Sequence, residues 1–306
     1  MARARSDSTF LFAGKQLGFF KEQGIDLEIQ TTPGTVAAAG LIASGALDIA
    51  LGGLEALPGY VLQGVAMKAV YLYSYRPIFM LGFLSGSKVQ KVADLKGARI
   101  GVISLGSGSI PVLEYILREA GLTLKDTTPV PLGLGPATLA AVKNGEVDAL
   151  MYHDTAMANF ATNGIVLTIY ADPKLEKGYA GQGIYVLEKT LQERRPAVEK
   201  FLRGLTKSLV YASKDPAGAT KAFGQLYPEI AKNPALEEKL WRERRKISQP
   251  PPEAHGEWGY MDKLAWENLL DVLSVGGILK AKPPAEKLYT TELLKSANEV
   301  DTSNLP

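Results

Sequence analysis

Four short segments gather the residues best suited to hold a small polar molecule. They are Ser6-Asp7-Ser8-Thr9, Thr32-Pro33-Gly34-Thr35, Gly52-Gly53-Leu54-Glu55 and Ser104-Leu105-Gly106-Ser107-Gly108-Ser109. Each stands where the chain turns into a helical pattern. Each offers hydroxyls, glycines and amide N–H groups left unpaired at a helix start, where partial positive charge favours an anion. The same residue types cap helices without any ligand. Capping explains any one segment as well as binding does; several such junctions meeting at one place favour a ligand. The candidate contacts from these segments are Ser6, Asp7, Ser8, Thr32, Gly34, Thr35, Gly53, Ser107 and Ser109.

Charged and aromatic residues extend the set. Arg76 ends a strand pattern, and its guanidinium could grip a carboxylate or sulfonate with two parallel hydrogen bonds; a surface ion pair accounts for it equally well. His153-Asp154-Thr155 follows another strand pattern, where His153 could donate a hydrogen bond or change charge near neutral pH. No nucleophile context accompanies the His153–Asp154 pair, so catalysis is not expected of it. Gln182 adds a neutral amide. Glu55 reads either as a favourable charge in a first helical turn or as the partner of a ligand amino group. Tyr71, Tyr73 and Tyr75 alternate along one strand and so share a face, most simply as rings packed under helices. Gly-x-x-x-x-Gly-Lys does not occur, so no phosphate-binding P-loop is present.

Composition narrows the chemistry. The chain has 306 residues, 46% hydrophobic and 22% charged, which fits a two-domain globular protein. It has no Cys, which excludes disulfides, thiolate metal sites and a cysteine nucleophile, and only two His, which argues against a His-rich metal centre. No metal or cofactor is expected. A net charge of +2 gives no reason to expect nucleic acid. No run approaches the roughly 20 apolar residues of a membrane span. Met1 to Asp7 lacks the apolar core of a signal peptide, so the reading is a chain from which any leader is absent.

The elements that would position these residues alternate between helical and strand periodicity. Phe10–Phe20 reads as a helix, Ile25–Ile29 as a period-2 strand, Val36–Ser44 as a helix, Asp48–Leu51 as a strand, Leu54–Gln63 as a helix and Met67–Tyr75 as a strand. The pattern restarts at Ala98–Ile103 and continues through Val166–Tyr170. Such alternation predicts an α/β fold with a largely parallel sheet between helices. A local repeat supports two lobes of similar design: Gly45 and Asp48 recur as Gly145 and Asp148, each Asp preceded by an apolar residue and followed by an apolar run. After Leu191 the chain is helical, and Arg242–Lys246 reads as a solvated charged helix face.

Lys15-Gln16-Leu17-Gly18-Phe19-Phe20-Lys21-Glu22-Gln23-Gly24-Ile25-Asp26-Leu27-Glu28 resembles the "xxxGFFKxxGLxVE" opening of solute-binding proteins of ABC importers, in the branch that takes nitrate, sulfonates, taurine and thiamine-precursor pyrimidines. Asp94–Val102 is similar to its "DLKGKRIGV" segment, and Ala43–Ala50 and Asn144–Ala149 to two copies of "xSGxxDxA". The matches keep their order from about residue 10 to 280. The resemblance implies a two-lobed type II periplasmic-binding-protein fold: two mixed sheets flanked by helices, joined by two hinge crossings, at Pro77–Leu84 and Gly181–Leu187. It implies a discontinuous first lobe, 1–78 and 185–306, and a second lobe, 79–184. The family's first strand would fall on Ala2–Arg5. His153-Asp154-Thr155 stands where the family often has Trp-Glu-Pro, which leaves the ligand's identity open.

The function so implied is a monomeric periplasmic or lipid-anchored binding protein without catalysis. It would deliver a small organic anion, a sulfonate or carboxylate, to the membrane permease of an ABC importer by hinge closure. An aminopyrimidine thiamine precursor is the alternative ligand, favoured by Glu55, Asp7 and Asp154. Enzymes on the same fold are the alternative function. A pyrimidine synthase would need a Cys-rich iron site that a chain without Cys cannot supply; an enzyme of the menaquinone-pathway type stays open.

Overall fold

The computed structural model describes residues 6–32 and 34–306, apart from the side chain of Ser6; the expected first strand at Ala2–Arg5 lies outside them. The chain divides into two units. The first holds the residues up to Tyr75, Ala180–Lys263 and Pro283–Pro306; the second holds Arg76–Tyr179 and Leu264–Lys282.

In the first unit, α1 (Thr9–Gln16) and α2 (Phe19–Glu22) replace the single expected helix. Gly18 parts them at φ 81°, a left-handed conformation that glycine adopts without strain. Then come α3 (Thr35–Ala43), β1 (Ala50–Gly53), α4 (Leu57–Leu62) and β2 (Met67–Ser74). In the second unit, β3 (Phe79–Leu84), β4 (Arg99–Val102), α5 (Ser109–Glu119), β5 (Thr128–Pro131), α6 (Pro136–Lys143), β6 (Ala149–His153), α7 (Asp154–Thr162) and β7 (Leu167–Tyr170) follow in order. The chain returns to the first unit through β8 (Gln182–Leu187), α8 (Glu188–Lys214, kinked at Arg194), α9 (Pro216–Leu226) and α10 (Pro234–Ser248). Last are α11 (Lys263–Val275) and α12 (Leu294–Asn298).

The first sheet has the order β1-β8-β2 and the second β5-β4-β6-β3-β7. In the first, β8 runs antiparallel to both neighbours, and an isolated parallel bridge joins Ala69 to Tyr289. In the second, β4 is parallel to β5 and β6, while β3 is antiparallel to β6 and β7. The sheets are therefore mixed rather than largely parallel. Helical crossovers set the parallel pairs; β3 and β8, which continue the chain across the unit boundaries, run against them.

Ile25–Ile29 carries strand periodicity and is extended, but pairs with no strand among the described residues. Tyr71 and Tyr73 of β2 and Tyr75 just beyond it are all buried, as rings under helices, and Tyr71 Oη lies 2.9 Å from Thr206 Oγ1. The first core is aromatic: Phe12 stacks on Phe223 at 4.9 Å and Phe20 on Phe201 at 5.4 Å. In the second, Leu150, Tyr152 and Phe160 centre a cluster, and the Tyr152 hydroxyl donates to the carbonyls of Val102 and Gly133. Burial pushes that phenol up to about 12.

The expected division placed all of 185–306 with the first lobe. The second unit instead includes 264–282. Asn268 of α11 donates to the carbonyls of Gly178 and Lys174, and a Cβ on Gly276 would meet Pro111 at 2.5 Å.

Candidate functional site

In the first unit a polar cluster centres on Arg244, which is 0% exposed. Its helix, α10, buries Trp241, Arg244, Ile247 and Ser248 on one face and exposes Arg242 and Lys246 on the other. Trp241 donates through Nε1 to the Ala212 carbonyl and packs against Phe10, which in turn packs against Tyr73. The helix is thus locked with a guanidinium pointing inward. A charge so placed needs partners. Nη1 donates to Gln182 Oε1 at the start of β8, and Nη2 lies 3.9 Å from Asp7 Oδ2. Asp7 sits in the 3-10 turn Ser6–Ser8 that leads into α1, and accepts from the Ser8 hydroxyl at 3.2 Å.

The same neighbourhood reaches Tyr73, Tyr185 and Glu55. Burial drives the Tyr73 phenol well above its usual range; Arg244 draws it back, and Asp7, Tyr185 and Glu55 push it further up. Burial also raises the Tyr185 phenol, with Glu55 adding to the rise. The Tyr185 hydroxyl is buried with no hydrogen-bond partner among the described residues.

Glu55 follows β1 on the approach to α4. Thr35, at the start of α3, donates to its Oε1 at 2.9 Å, and its own backbone N–H bonds to the carboxylate as well. Burial still outweighs these bonds and raises its pKa. The carboxylate folds back over Gly53, where a Cβ would lie 2.1 Å from Oε2. Gly53 is therefore the seat of the Glu55 side chain. Thr32 donates to the Gly34 carbonyl at 3.2 Å, ahead of α3.

The expected contacts in the second unit are engaged locally. Ser109 donates to Ser107 Oγ through both its amide and its hydroxyl at the start of α5. Arg76 is exposed and pairs with Glu176 at 3.3 Å. His153 is the N-cap of α7: its Nδ1 accepts from the Ala156 amide and bonds with Thr155 Oγ1 at 2.9 Å, which places the ring proton of a neutral imidazole on Nε2. Asp154 is 4% exposed in the first turn of α7, and its amide donates to the Ile78 carbonyl.

The structure thus connects Asp7, Thr35, Gly53, Glu55 and Gln182 around Arg244 and Tyr73 in the first unit, while Arg76, Ser107, Ser109, His153 and Asp154 lie in the second, each with its own local partners. The side chain of Ser6 lies outside the described residues. Arg244 escaped the sequence reading because it sits in a charged run taken as solvated. The spacing of Trp241, Arg244 and Ile247, three residues apart on one helical face, was the signal for it. Among the described residues no three or more His, Asp or Glu side chains come together to hold a metal ion. None of the described helices is long and apolar enough to cross a membrane.

Known proteins share this architecture. The alkanesulfonate-binding protein SsuA from Xanthomonas axonopodis pv. citri bound to MOPS superposes with a TM-score of 0.67 at 20% identity, covering 94% of this chain and 96% of that one. A Haemophilus influenzae protein named for thiamine biosynthesis is 23% identical over 293 residues, 94% of this chain and 88% of its own length. The 4-amino-5-hydroxymethyl-2-methylpyrimidine phosphate synthase THI5 of Saccharomyces cerevisiae is 24% identical over 249 residues, 72% of this chain and 67% of its own. Residues 5–219 match the family described as NMT1/THI5 like, and the chain belongs to that family.

Proposed function

We propose that the chain is an extracytoplasmic solute-binding protein. It captures a small organic anion of the sulfonate or carboxylate type and delivers it, unaltered, to the permease of an ABC importer through a hinge motion. The observation that carries this reading is the buried guanidinium of Arg244, a fixed positive charge among Tyr73, Gln182 and Asp7. In a low-dielectric setting such a charge biases its surroundings toward anions far more than a solvated one does. The fold shared with the sulfonate-binding protein bound to MOPS supports the same ligand class. Binding protein rather than enzyme is the reading favoured by a chain with no Cys, and a periplasmic or surface-anchored location follows from the role.

One observation favours a second reading. Glu55, seated on Gly53 and bonded to Thr35, is an acceptor suited to an amino group, as on an aminopyrimidine. The relatives named for thiamine biosynthesis and for pyrimidine phosphate synthesis lend that ligand weight.

Isothermal titration against MOPS, taurine, benzoate and 4-amino-2-methylpyrimidines, followed by mass spectrometry of the recovered compound, tests both. Saturable binding of one anion class with the compound returned intact is the expected result. Binding confined to the aminopyrimidines would select the second reading, and chemical conversion of the bound compound would replace transport with catalysis.

A further inference from the structure

Two loops of the second unit start side by side. β4 and β5 run parallel, with Val102 opposite Pro131. The pairing continues past both strands: the amide of Leu132 donates to the Val102 carbonyl at 2.9 Å, and that of Gly133 to the Ile103 carbonyl at 3.1 Å. The Tyr152 hydroxyl, bonded to the carbonyls of Val102 and Gly133, fastens the two chain ends to each other. Leu105 lies two residues beyond Ile103, and Leu134 one residue beyond Gly133. Both leucines face solvent, 62% and 48% exposed.

A single exposed leucine is ordinary; the place of these two is not. The other exposed large hydrophobics of the second unit, Val166, Ile169, Leu264 and Ile278, lie on or beside β7 at the opposite edge of the sheet, or in and just past α11. Leu105 and Leu134 instead stand beyond the carboxyl ends of adjacent parallel strands, just ahead of α5 and α6, where open α/β sheets present their ligand loops. The loops are otherwise bare. A Cβ at Gly106, Gly133 or Gly135 would meet nothing within 4 Å. Gly133 and Gly135 hold φ of 71° and 122°, so Leu134 is flanked on both sides by backbone that glycine alone adopts without strain. No charged residue stands in 103–109 or 132–136. Leu105 shares its loop with Ser107 and Ser109, both among the expected ligand contacts.

We infer that Leu105 and Leu134 are specificity-determining residues: they take the hydrocarbon end, ring or chain, of the captured anion and select against anions that are compact or polar at both ends. The inference rests on the solute-binding reading and adds the chemistry of the ligand's far end. Covering exposed leucine with hydrocarbon removes apolar surface of both partners from water, and each methylene fully buried strengthens binding about fourfold. A second polar group at that end, such as the ammonium of taurine, would lose hydration against the leucines and find no counter-charge in either loop.

The test is isothermal titration of the full chain with methanesulfonate, taurine, hexanesulfonate and benzenesulfonate, and with acetate, hexanoate and benzoate. The better of the hexyl and phenyl compounds should bind at least about tenfold tighter than the compact anions with the same head group, and these two arms distinguish chain from ring. Leu105→Ser with Leu134→Ser should reduce that ratio to less than about threefold. Leu105→Met with Leu134→Met, which keeps apolar surface of similar volume, should retain it. Both positions are exposed, so thermal unfolding of each double variant should match the parent and shows that it folds. A flat series in the parent, or a ratio that survives the serine variant, would overturn the inference and leave the anion reading standing. Failure of every one of these compounds to bind would overturn the anion reading and the inference with it.

Discussion

Arg244 and Gln182 come from elements 62 residues apart and meet inside the first unit, the guanidinium donating to the side-chain carbonyl of the amide. The bond ties α10 to the start of β8, and Asp7 on the Ser6–Ser8 turn completes the arrangement from the opposite end of the sequence. Three distant stretches are thereby held by one fixed charge.

The two partners should differ in cost. Gln182→Leu leaves a buried cation short of an acceptor and should destabilise by about 2–3 kcal/mol. Arg244→Met removes the charge together with its need for partners and should cost less, about 1–2 kcal/mol. Urea denaturation of both variants checks the order; a costlier Arg244→Met would show that the guanidinium contributes beyond its own satisfaction.

Glu55 makes stability fall with rising pH. Its folded pKa is raised by burial, so the folded state binds the proton more tightly than the unfolded state does. That contribution is complete below the ordinary glutamate pKa and is lost as pH climbs through the raised folded value. Glu55→Gln should abolish this part of the pH dependence and be more stable than the parent at pH 7. Denaturation midpoints between pH 4 and 7 measure it.

Gly53→Ala should displace the Glu55 carboxylate, since the new methyl would stand 2.1 Å from its Oε2. The flexible end of Glu55 swings away, so the chain still folds, but the Thr35 bond breaks. The pH dependence assigned to Glu55 should then shrink in the Gly53→Ala protein, as the same denaturation series would record.

Arg76→Ala should be nearly silent. An exposed pair such as Arg76–Glu176 contributes about 0–1 kcal/mol. Affinity for an anionic ligand should change less than twofold in isothermal titration, in contrast to the tenfold or greater loss that the sequence reading of Arg76 as an anion clamp entails.

His153→Ala should cost about 1 kcal/mol by removing the acceptor for the Ala156 amide at the start of α7. His153→Ser, which can accept the same bond, should restore most of it in thermal unfolding.

Much of this was legible in the residues because it rests on local rules. The repeat around Gly45 and Gly145 is real geometry: each glycine takes a left-handed φ, 75° and 70°, just past α3 and α6. The following acids even take similar partners, Asp48 pairing with Arg194 and Asp148 with Arg99. Periodicity likewise located β2 and its buried tyrosines. What escaped depends on distant pairing. Alternation at Ile25–Ile29 specifies which side chains turn inward, but a strand also needs a neighbour, and none stands beside it among the described residues. Arg244 looked solvated because composition was weighed before helical phase. Arg76 read equally as an anion clamp or as half of a surface ion pair, because Glu176, 100 residues on, cannot be foreseen as its partner.

The small excursion 264–282 bears on how such a protein can be taken apart. Expressing 76–179 alone would strip Asn268 from the carbonyls it bridges and bare the face of α5 around Pro111 that Gly276 covers. That stretch is no portable cassette. A self-sufficient piece needs α11 grafted back through a new linker, and any exchange of this half between proteins must carry 76–179 and 264–282 together.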